Sequence, residues 1–327
     1  MFKALMLTQQ DKATHAAFAE LDETQLPPGD VRVRIEYSSL NYKDALAVTG
    51  RGAIVRNWPM VPGIDLAGVV EASTDPAWQP GDRVVVNGWG LGETAWGGLA
   101  QKASLKSGWL LRLPDGFTTR LAMAIATAGY TAALCVMALQ KHGLTPDDGE
   151  VLVTGAAGGV GSVAVALLAG LGFSVTASTG RPQEAEYLKV MGAAHIVDRS
   201  ALATPGKPLQ SERWAGVIDS VGSQTLANAL AQTKWNGAVA ACGLAGGGDL
   251  PATVMPFILR GVTLYGINCV FQPNAVREKA WALLAEHVKP DQLAQMTHEV
   301  ALSDIVQASN DLLAGRIRGR TVVDVNR

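Results

Sequence analysis

The sequence predicts an α/β protein that combines a doubly wound parallel sheet with a second, β-rich domain. Its 327 residues exceed the usual size of one hydrophobic core, so two domains are expected. Between residues 151 and 267, short apolar runs alternate with segments of helical spacing, as in parallel strands joined by crossover helices. A glycine-rich turn, within LVTGAAGGVG, follows the first of these runs.

Six short apolar runs are predicted to form the parallel sheet, with helices between most of them. The runs are 151–154, 173–177, 195–198, 216–220, 238–242 and 263–267, and helical spacing occurs at 162–169, 183–190 and 224–232. The helical pattern fades at 203–211, between the third and fourth runs.

The segments on either side of this region follow a different pattern. Residues 31–37 alternate polar and apolar side chains, and 68–72 and 83–87 indicate short strands separated by turn dipeptides. A helix is predicted at 274–287 and a closing strand at 321–325. We therefore assign residues 1–123 and 267–327 to a β-rich domain and residues 124–266 to the parallel-sheet domain.

Composition and charge argue against several partners and locations. The formal net charge is -2 and no basic run stands out, so neither nucleic acid nor an anionic membrane surface is expected to bind. Residues 121–139 are long enough to span a bilayer, but alanine dominates them and Thr118 suits a helix N-cap, which favours a buried helix. No secretory signal is evident and the three cysteines lie far apart, so a cytoplasmic protein with reduced thiols is expected.

The glycine-rich turn lies between a predicted strand and a predicted helix, where dinucleotide-binding proteins hold the pyrophosphate. Gly155, Gly158 and Gly161 follow a three-residue spacing, although in the strict AxGxxG frame Ala156 replaces the first glycine. Gly158 would let a ligand approach the backbone and Gly161 would let the helix pack on the strand. A turn used only for packing is the alternative. The residues predicted to bind the cofactor here are Ala157, Gly158, Gly159, Val160 and Gly161.

The end of the second predicted strand indicates which dinucleotide is bound. NAD enzymes place a carboxylate about twenty residues beyond the glycine motif, but this chain has STGR there and no acid before Glu184. Hydroxyls and a guanidinium suit a 2′-phosphate, so NADPH is the predicted cofactor. Arg181 could instead be a solvated residue at a helix start, and Arg199 could share the phosphate or be ordinary surface charge. The residues predicted to select NADPH are Ser178, Thr179, Gly180 and Arg181.

Loops after later strands also carry small residues across which a cofactor could lie. They are DSVG at 219–222 and CGLA at 242–245. Ligands of doubly wound folds bind at the carboxyl ends of the strands, so Leu244 and Asn268 are further predicted cofactor contacts. Asp219 could equally serve as a helix-capping acid.

Several catalytic classes are excluded by missing motifs. The chain has no HExxH, GxSxG or CxxC, and no tyrosine is followed four residues later by lysine. Its five histidines form no local metal-binding cluster in the sequence. Metal-dependent hydrolysis and triad catalysis are therefore not expected.

Five motifs stand in order along the chain: NYKD at 41–44, VPGIDLAGVV at 61–70, GDRV at 81–84, TAGYTA at 127–132 and VTGAAGGVG at 153–161. Together they resemble the medium-chain dehydrogenase/reductase superfamily over essentially the whole chain. The resemblance implies a GroES-like fold for the β-rich domain, a Rossmann fold for the other, and catalysis in the cleft between them. It also implies a homodimer that pairs through an edge strand, here 263–267.

Within the superfamily the chain resembles the zinc-free quinone oxidoreductase branch. Tyr42 and Lys43 stand where the zinc enzymes have Cys-Gly, and Gly63, Ile64 and Asp65 stand where they have Gly-His-Glu. The four-cysteine lobe that holds structural zinc is absent as well. The resemblance therefore implies that no metal takes part.

Three segments resemble the acrylyl-CoA reductase subgroup: SSLNYKDALAVTGRG at 38–52, STGR at 178–181 and GRIRGRTVVDV at 315–325. This implies NADPH-dependent reduction of the carbon–carbon double bond of acryloyl-CoA to propanoyl-CoA. A quinone or enone oxidoreductase is one alternative, and an NADPH-binding regulatory protein without turnover is another.

The resemblance also implies site residues outside the parallel sheet. Tyr42 could deliver a proton or form an aromatic wall of the cofactor cleft, and Asn41 could donate to a substrate carbonyl or brace its loop. Arg320, rather than Arg318, is expected to reach the cofactor. Three bases could bind the phosphates of CoA or be solvated surface residues: Lys43, Arg51 and Arg56.

Overall fold

The computed structural model describes all 327 residues, which separate into two compact units. Unit 1 comprises Met1–Thr127, Val270–Glu278 and Met296–Arg327, and unit 2 comprises Ala128–Cys269 and Lys279–Gln295. Residues 279–295, which the sequence assigns to the β-rich domain, group with unit 2.

The chain forms fifteen strands and nine α-helices, numbered here in chain order. The strands are β1 (Phe2–Gln10), β2 (Ala13–Leu21), β3 (Val31–Leu40), β4 (Asp65–Ser73), β5 (Arg83–Asn87), β6 (Lys102–Leu105), β7 (Leu111–Arg112), β8 (Val151–Val153), β9 (Val175–Thr179), β10 (His195–Asp198), β11 (Trp214–Asp219), β12 (Thr233–Ala241), β13 (Thr263–Gly266), β14 (Thr297–Ala301) and β15 (Arg320–Asp324). The helices are α1 (Tyr42–Thr49), α2 (Thr119–His142), α3 (Gly159–Gly170), α4 (Ala185–Met191), α5 (Ser223–Gln232), α6 (Met255–Arg260), α7 (Asn274–His287), α8 (Pro290–Met296) and α9 (Ile305–Leu313).

Unit 2 contains a six-stranded sheet in the order β10-β9-β8-β11-β12-β13, and every pair of neighbours is parallel. The strand order reverses between β8 and β11, which is where doubly wound sheets bind their ligands. No α-helix forms between β10 and β11, in agreement with the faded helical pattern of that segment. The predicted α/β class, with its parallel sheet, is confirmed.

Unit 1 is built around a sheet in the order β14-β15-β3-β4-β5-β7, with β6 paired to β3. The pairs formed by β3, β4, β5, β6 and β7 are antiparallel, as is the separate hairpin of β1 and β2. Inward-facing Val31, Val33 and Ile35 alternate with charged residues along β3 and join the core of this unit. The sequence does not predict the β1–β2 hairpin or helix α1.

Helix α2 contains the apolar segment that the sequence raises as a possible membrane span. It is long and apolar enough to cross a bilayer, but 78% of its most apolar window is buried within the protein. The Thr118 hydroxyl accepts the Leu121 N–H at 3.0 Å, which confirms the predicted N-cap. Helical geometry breaks at Ala126, whose φ of 47° and ψ of -153° lie outside the helical region.

Candidate active site

The glycine turn after β8 leaves a helix N-terminus without a side-chain cap. The N-cap residue of α3 is Gly158, and the first helical hydrogen bond runs from Ser162 N to Gly158 O at 2.9 Å. The N–H groups of Gly159, Val160 and Gly161 precede that bond and lie at the positive end of the helix dipole. This end of α3 therefore presents a main-chain surface suited to an anion.

Each glycine of the turn has a distinct role. Gly155 adopts a left-handed φ of 58°, which favours glycine. A Cβ on Gly161 would collide with the Gly155 carbonyl oxygen, so close packing of α3 on the turn requires glycine there. A Cβ on Gly158 would meet only that same oxygen, at 3.2 Å. Packing hardly demands glycine at residue 158, whereas a closely approaching ligand would.

The end of β9 lies beside this turn and carries the predicted selectivity residues. Ser178 and Thr179 are buried, and the Arg181 guanidinium donates to the Ala157 carbonyl oxygen at 3.2 Å. The Arg199 side chain lies against Gly180, because a Cβ there would collide with its guanidinium. The structure thus brings two arginines to one edge of the sheet, next to the phosphate-binding turn, and an NADP-type cofactor fits this set of donors.

The remaining strand ends of unit 2 contribute loops to the same edge of the sheet. Leu244 follows β12 with 66% of its surface exposed, and Asn268 is exposed after β13. Asp219 accepts hydrogen bonds from the Thr154 hydroxyl at 2.6 Å and from the Gly222 N–H at 2.8 Å, just before α5. Burial raises the pKa of Asp219, and those two donors oppose the shift. Asp219 therefore holds the turn before α5 in place.

In unit 1, the NYKD motif forms the first turn of α1 rather than the loop that the resemblance implies. Asn41 is the N-cap residue, and Tyr42 is the first helical residue with 46% of its surface exposed. Asp44 lies in the same turn, and its Oδ2 accepts the Asn41 backbone N–H at 2.9 Å and Asn41 Nδ2 at 3.0 Å. Its Oδ1 accepts the Ile64 N–H at 2.9 Å, so one carboxylate joins α1 to the segment before β4.

A second buried carboxylate, Asp65, begins β4 and organises the same region. It accepts hydrogen bonds from Ser39 Oγ at 2.7 Å, Asn41 Nδ2 at 2.7 Å and Asn87 Nδ2 at 2.6 Å. The Thr127 N–H donates to both of its oxygens at 3.1 Å, and the Thr127 hydroxyl donates as well. Asp65 therefore connects α1, β3, β5 and the part of α2 that follows the break at Ala126.

Arg320 is the cation of this cluster. Only 2% of its surface is exposed, and it donates to the Ala124 carbonyl at 3.0 Å and to Asn41 Oδ1 at 3.3 Å. Its Nη2 is buried and has no hydrogen-bond partner. Burial lowers the pKa of Arg320, and the negative charges of Asp65 and Asp44 oppose that shift. Its guanidinium therefore interacts electrostatically with both carboxylates.

The two carboxylates of this cluster affect each other. Burial, and next the nearby Asp65 carboxylate, raise the pKa of Asp44 to about 7, while N–H groups of Asn41 and Ile64 act in the opposite direction. The Asn41 amide is fully committed: Nδ2 donates to Ser39, Asp44 and Asp65, and Oδ1 accepts from Arg320. The geometry thus favours bracing by Asn41 over donation to a substrate.

The three bases considered for CoA separate into two places. Lys43 Nζ forms an ion pair with Glu93 Oε1 at 2.8 Å, and the Arg56 backbone N–H donates to the Glu93 carbonyl at 2.8 Å. Arg51 instead donates to Asn310 Oδ1 at 3.2 Å. The Glu93 carboxylate therefore partly offsets the charge of Lys43, and the Glu93 backbone lies next to that of Arg56.

No cluster of three or more His, Cys, Asp or Glu side chains with metal-binding geometry occurs in the protein. At the positions where zinc enzymes have ligands, Tyr42 is exposed and Ile64 is buried. The prediction that the enzyme needs no zinc stays a prediction.

Two protein families match parts of this sequence. Residues 27–115 match the family described as alcohol dehydrogenase GroES-like domain, and residues 159–286 match the zinc-binding dehydrogenase family. These two matches define the class: a dehydrogenase with a GroES-like domain and a nucleotide-binding domain.

Full-length relatives narrow the class. The chain is 53% identical to acrylyl-CoA reductase AcuI of Ruegeria pomeroyi, with all of both chains covered. A crystal structure of Escherichia coli K-12 YhdH with bound NADPH is 51% identical, with a TM-score of 0.97 and coverage of 99% of this chain and 100% of that one. Putative quinone oxidoreductase YhfP of Bacillus subtilis is 42% identical over 99% of this chain and 98% of its own. The chain belongs to the acrylyl-CoA reductase family of the medium-chain dehydrogenase/reductase superfamily.

Proposed function

We propose that this protein is an NADPH-dependent reductase that converts acryloyl-CoA to propanoyl-CoA. Unit 2 is the cofactor-binding domain and unit 1 the catalytic domain. The observation that carries the proposal is the end of β9, where Arg181 donates to the phosphate-binding turn and STGR stands in place of the carboxylate that NAD enzymes use for a 2′-hydroxyl. Full-length identity of 53% to an acrylyl-CoA reductase supports the choice of substrate.

The chemistry needs no metal. The β-carbon of an α,β-unsaturated thioester is already electrophilic, and NADPH, when bound, supplies the hydride. Negative charge then develops on the thioester oxygen, and the α-carbon takes up a proton. A neutral hydrogen-bond donor can stabilise that oxygen, and a hydroxyl group or water can give the α-carbon its proton, so we propose a zinc-independent reaction.

Each cofactor residue has a defined task in this proposal. The N–H groups of Gly159, Val160 and Gly161 would hold the pyrophosphate, and Arg181 and Arg199 would bind the 2′-phosphate. In unit 1, Tyr42 is the residue of the first turn of α1 whose side chain is open to a substrate. Asn41 braces that turn. Lys43 and Arg56 form the candidate site for a CoA phosphate.

The decisive experiment is a steady-state assay of NADPH oxidation with acryloyl-CoA, free acrylate and benzoquinone. We expect kcat/KM for acryloyl-CoA to exceed the others by a large factor, because contacts with the remote CoA phosphates help to position a small alkene. Preference for benzoquinone would instead support a quinone oxidoreductase, the activity named for the Bacillus subtilis relative. NADPH binding without turnover of any substrate would indicate a regulatory protein.

We also propose a cytoplasmic homodimer. Strand β13 ends the six-stranded sheet, and exposed apolar residues Val254, Ile258 and Leu259 lie just before it in the chain. An unpaired edge strand with exposed apolar neighbours favours pairing with a second copy. Ile258→Asp should convert a dimer to a monomer in light scattering coupled to size-exclusion chromatography, and a monomeric wild type would contradict the proposal.

A further inference from the structure

The exposed ring of Tyr42 is held in place through the backbone rather than through its own packing. Almost half of its surface, 46%, is open. Tyr42 is the first residue of α1; Asn41, just before it, and Asp44, two residues after it, are both buried. The direction of the ring therefore depends on how firmly the first turn of α1 is fixed.

Buried charge fixes that turn from two sides. Asp44 accepts the Asn41 N–H and the Ile64 N–H, both at 2.9 Å, and so ties α1 to the start of β4. The Asn41 side chain is held between Asp65, which accepts from Nδ2 at 2.7 Å, and Arg320, which donates to Oδ1 at 3.3 Å. Every polar atom of the Asn41 side chain has a partner in this arrangement.

Burying these charged groups lowers the stability of the folded protein. Two carboxylates and a guanidinium are each at least 98% buried, and desolvating charged groups opposes folding unless their hydrogen bonds are nearly complete. Arg320 Nη2 is left without a partner, so the cluster is not optimised for stability. Buried charges whose desolvation is not fully offset by hydrogen bonds are typical of functional sites.

We propose that Asp44 and Asp65, with Arg320 as their counter-charge, are positioning residues that hold Tyr42 against the substrate during reduction of acryloyl-CoA. This inference rests on the function proposed above. Neither carboxylate is open to solvent, so each acts through the backbone of Asn41 and Tyr42 rather than on the reacting atoms.

Two adjacent serines of β3 provide a matched test. Ser38 and Ser39 are both fully buried, and each donates its hydroxyl to Asp65 at 2.7 Å. Ser38 donates to the backbone carbonyl, whereas Ser39 donates to the carboxylate. Alanine at either position removes the same atom from the same strand, but only Ser39→Ala alters the charged cluster.

For each variant, we would measure kcat, the KM values for acryloyl-CoA and NADPH, and the temperature of thermal unfolding. We expect Ser39→Ala to lower kcat about tenfold with KM changed less than about twofold, because misplacement of a catalytic group affects the bound complex. Ser38→Ala should keep kcat within about twofold of wild type, although both variants lose similar thermal stability. Equal kcat values for the two variants would overturn the inference.

A double-mutant cycle with Tyr42→Ala tests the route of the effect. If the cluster acts through Tyr42, Ser39→Ala should change the single-turnover rate of NADPH oxidation less than about twofold in the Tyr42→Ala background. An undiminished effect there, or wild-type activity of Tyr42→Ala itself, would show that the cluster does not work through this ring. Failure of the wild-type enzyme to reduce acryloyl-CoA would refute the proposed function, and this inference would fall with it.

Discussion

The start of α3 leaves three backbone N–H groups open beside a glycine turn, whereas at the start of α1 a buried carboxylate reaches back to the N-cap residue. Each helix begins a few residues after a strand: α3 follows β8, and α1 follows β3. At α3, small residues keep the helix dipole available to an anion. At α1, the Asp44 side chain accepts the Asn41 backbone N–H, so that N–H is not available to an anion.

The difference shows that a helix N-terminus can serve a site in two ways. An N-terminus without a side-chain cap binds an anion through backbone N–H groups. Residues such as Gly158 matter there because they leave room for the ligand. At α1 the N-cap N–H is already hydrogen-bonded within the protein, so this helix can contact a ligand through side chains of its first turn, such as that of Tyr42. The two helix ends therefore call for opposite substitutions. At α3 a charged side chain is added, and at α1 an ionisable side chain is removed.

The largest expected effect concerns the pH dependence of stability. The folded-state pKa of Asp44 is raised to about 7 from 3.8, so the folded protein binds more protons than the unfolded chain between those values. The free energy of unfolding should therefore decrease as pH rises from about 4 to about 7, by on the order of 4 kcal/mol from this group. Urea unfolding at several pH values measures it, and Asp44→Asn should abolish this component.

The matched control is Asp148, a carboxylate that accepts the Thr145 N–H at 2.7 Å in the same capping arrangement but is exposed. The N–H and hydroxyl of Thr145 lower the pKa of Asp148, so its contribution is present above the unfolded-state pKa and is lost as pH falls below it. Asp148→Asn should leave the decrease between pH 4 and 7 intact. A profile that Asp44→Asn does not alter would contradict the buried-charge account of α1.

The next largest effect is expected from closing the open end of α3. Gly158→Asp adds a carboxylate where the pyrophosphate should lie, and the backbone φ of -86° accommodates a side chain. We expect the Kd for NADPH to rise at least about a hundredfold, about 3 kcal/mol, through charge repulsion and loss of space. Isothermal titration calorimetry measures it. Gly158→Ala is the control and should weaken binding less than about tenfold; unchanged affinity in both variants would exclude this turn as the cofactor site.

A smaller effect should follow from removing the phosphate partner at the end of β9. Arg181→Ala should weaken NADPH by about 2 kcal/mol, the typical value of a charge-assisted contact, and leave NADH almost unchanged. Fluorescence titration with both cofactors gives the ratio. Lys189→Ala, which removes an exposed ion pair with Glu186 in the next helix, should change neither. Equal losses for the two cofactors would place Arg181 away from the 2′-phosphate.

The smallest effect is expected from chelation. Because neither helix end presents a metal ligand set, dialysis against EDTA should leave kcat with acryloyl-CoA unchanged, and the protein should contain no stoichiometric zinc by mass spectrometry. Loss of activity that added zinc restores would refute the zinc-independent mechanism.

Local sequence signals predict the α3 region well. Strand β8, the turn and α3 lie within about twenty consecutive residues, so periodicity and glycine spacing suffice, and the STGR segment lies directly after the next strand. By contrast, Asp44 and Asp65 look like ordinary acids until the sheet of unit 1 brings them together. One local signal marks them: both acids stand in apolar segments, DALAV and GIDLAGVV, which points to buried carboxylates.

Other features of the fold also lack a local sequence signal. Helix α1 has only eight residues, fewer than a periodic pattern needs, so NYKD carries no helical signal. The β1–β2 hairpin carries no turn signal either, because Asp11 and Lys12, both with left-handed φ, join the two strands where glycine or asparagine is usual. Residues 279–295 group with unit 2 through contacts that are distant in sequence, and such contacts leave no local pattern.

The break at Ala126 divides α2 into two parts, which we expect to unfold separately. A left-handed φ on an alanine interrupts the ladder of backbone hydrogen bonds, and the N–H of Thr127 turns to Asp65 instead. The first segment of unit 1 ends at Thr127, the residue after the break. Amide protons before the break should therefore exchange with solvent in step with unit 1, and those after Thr127 in step with unit 2, as separate cooperative units. Hydrogen-exchange mass spectrometry would then resolve two protection levels within one continuous helix.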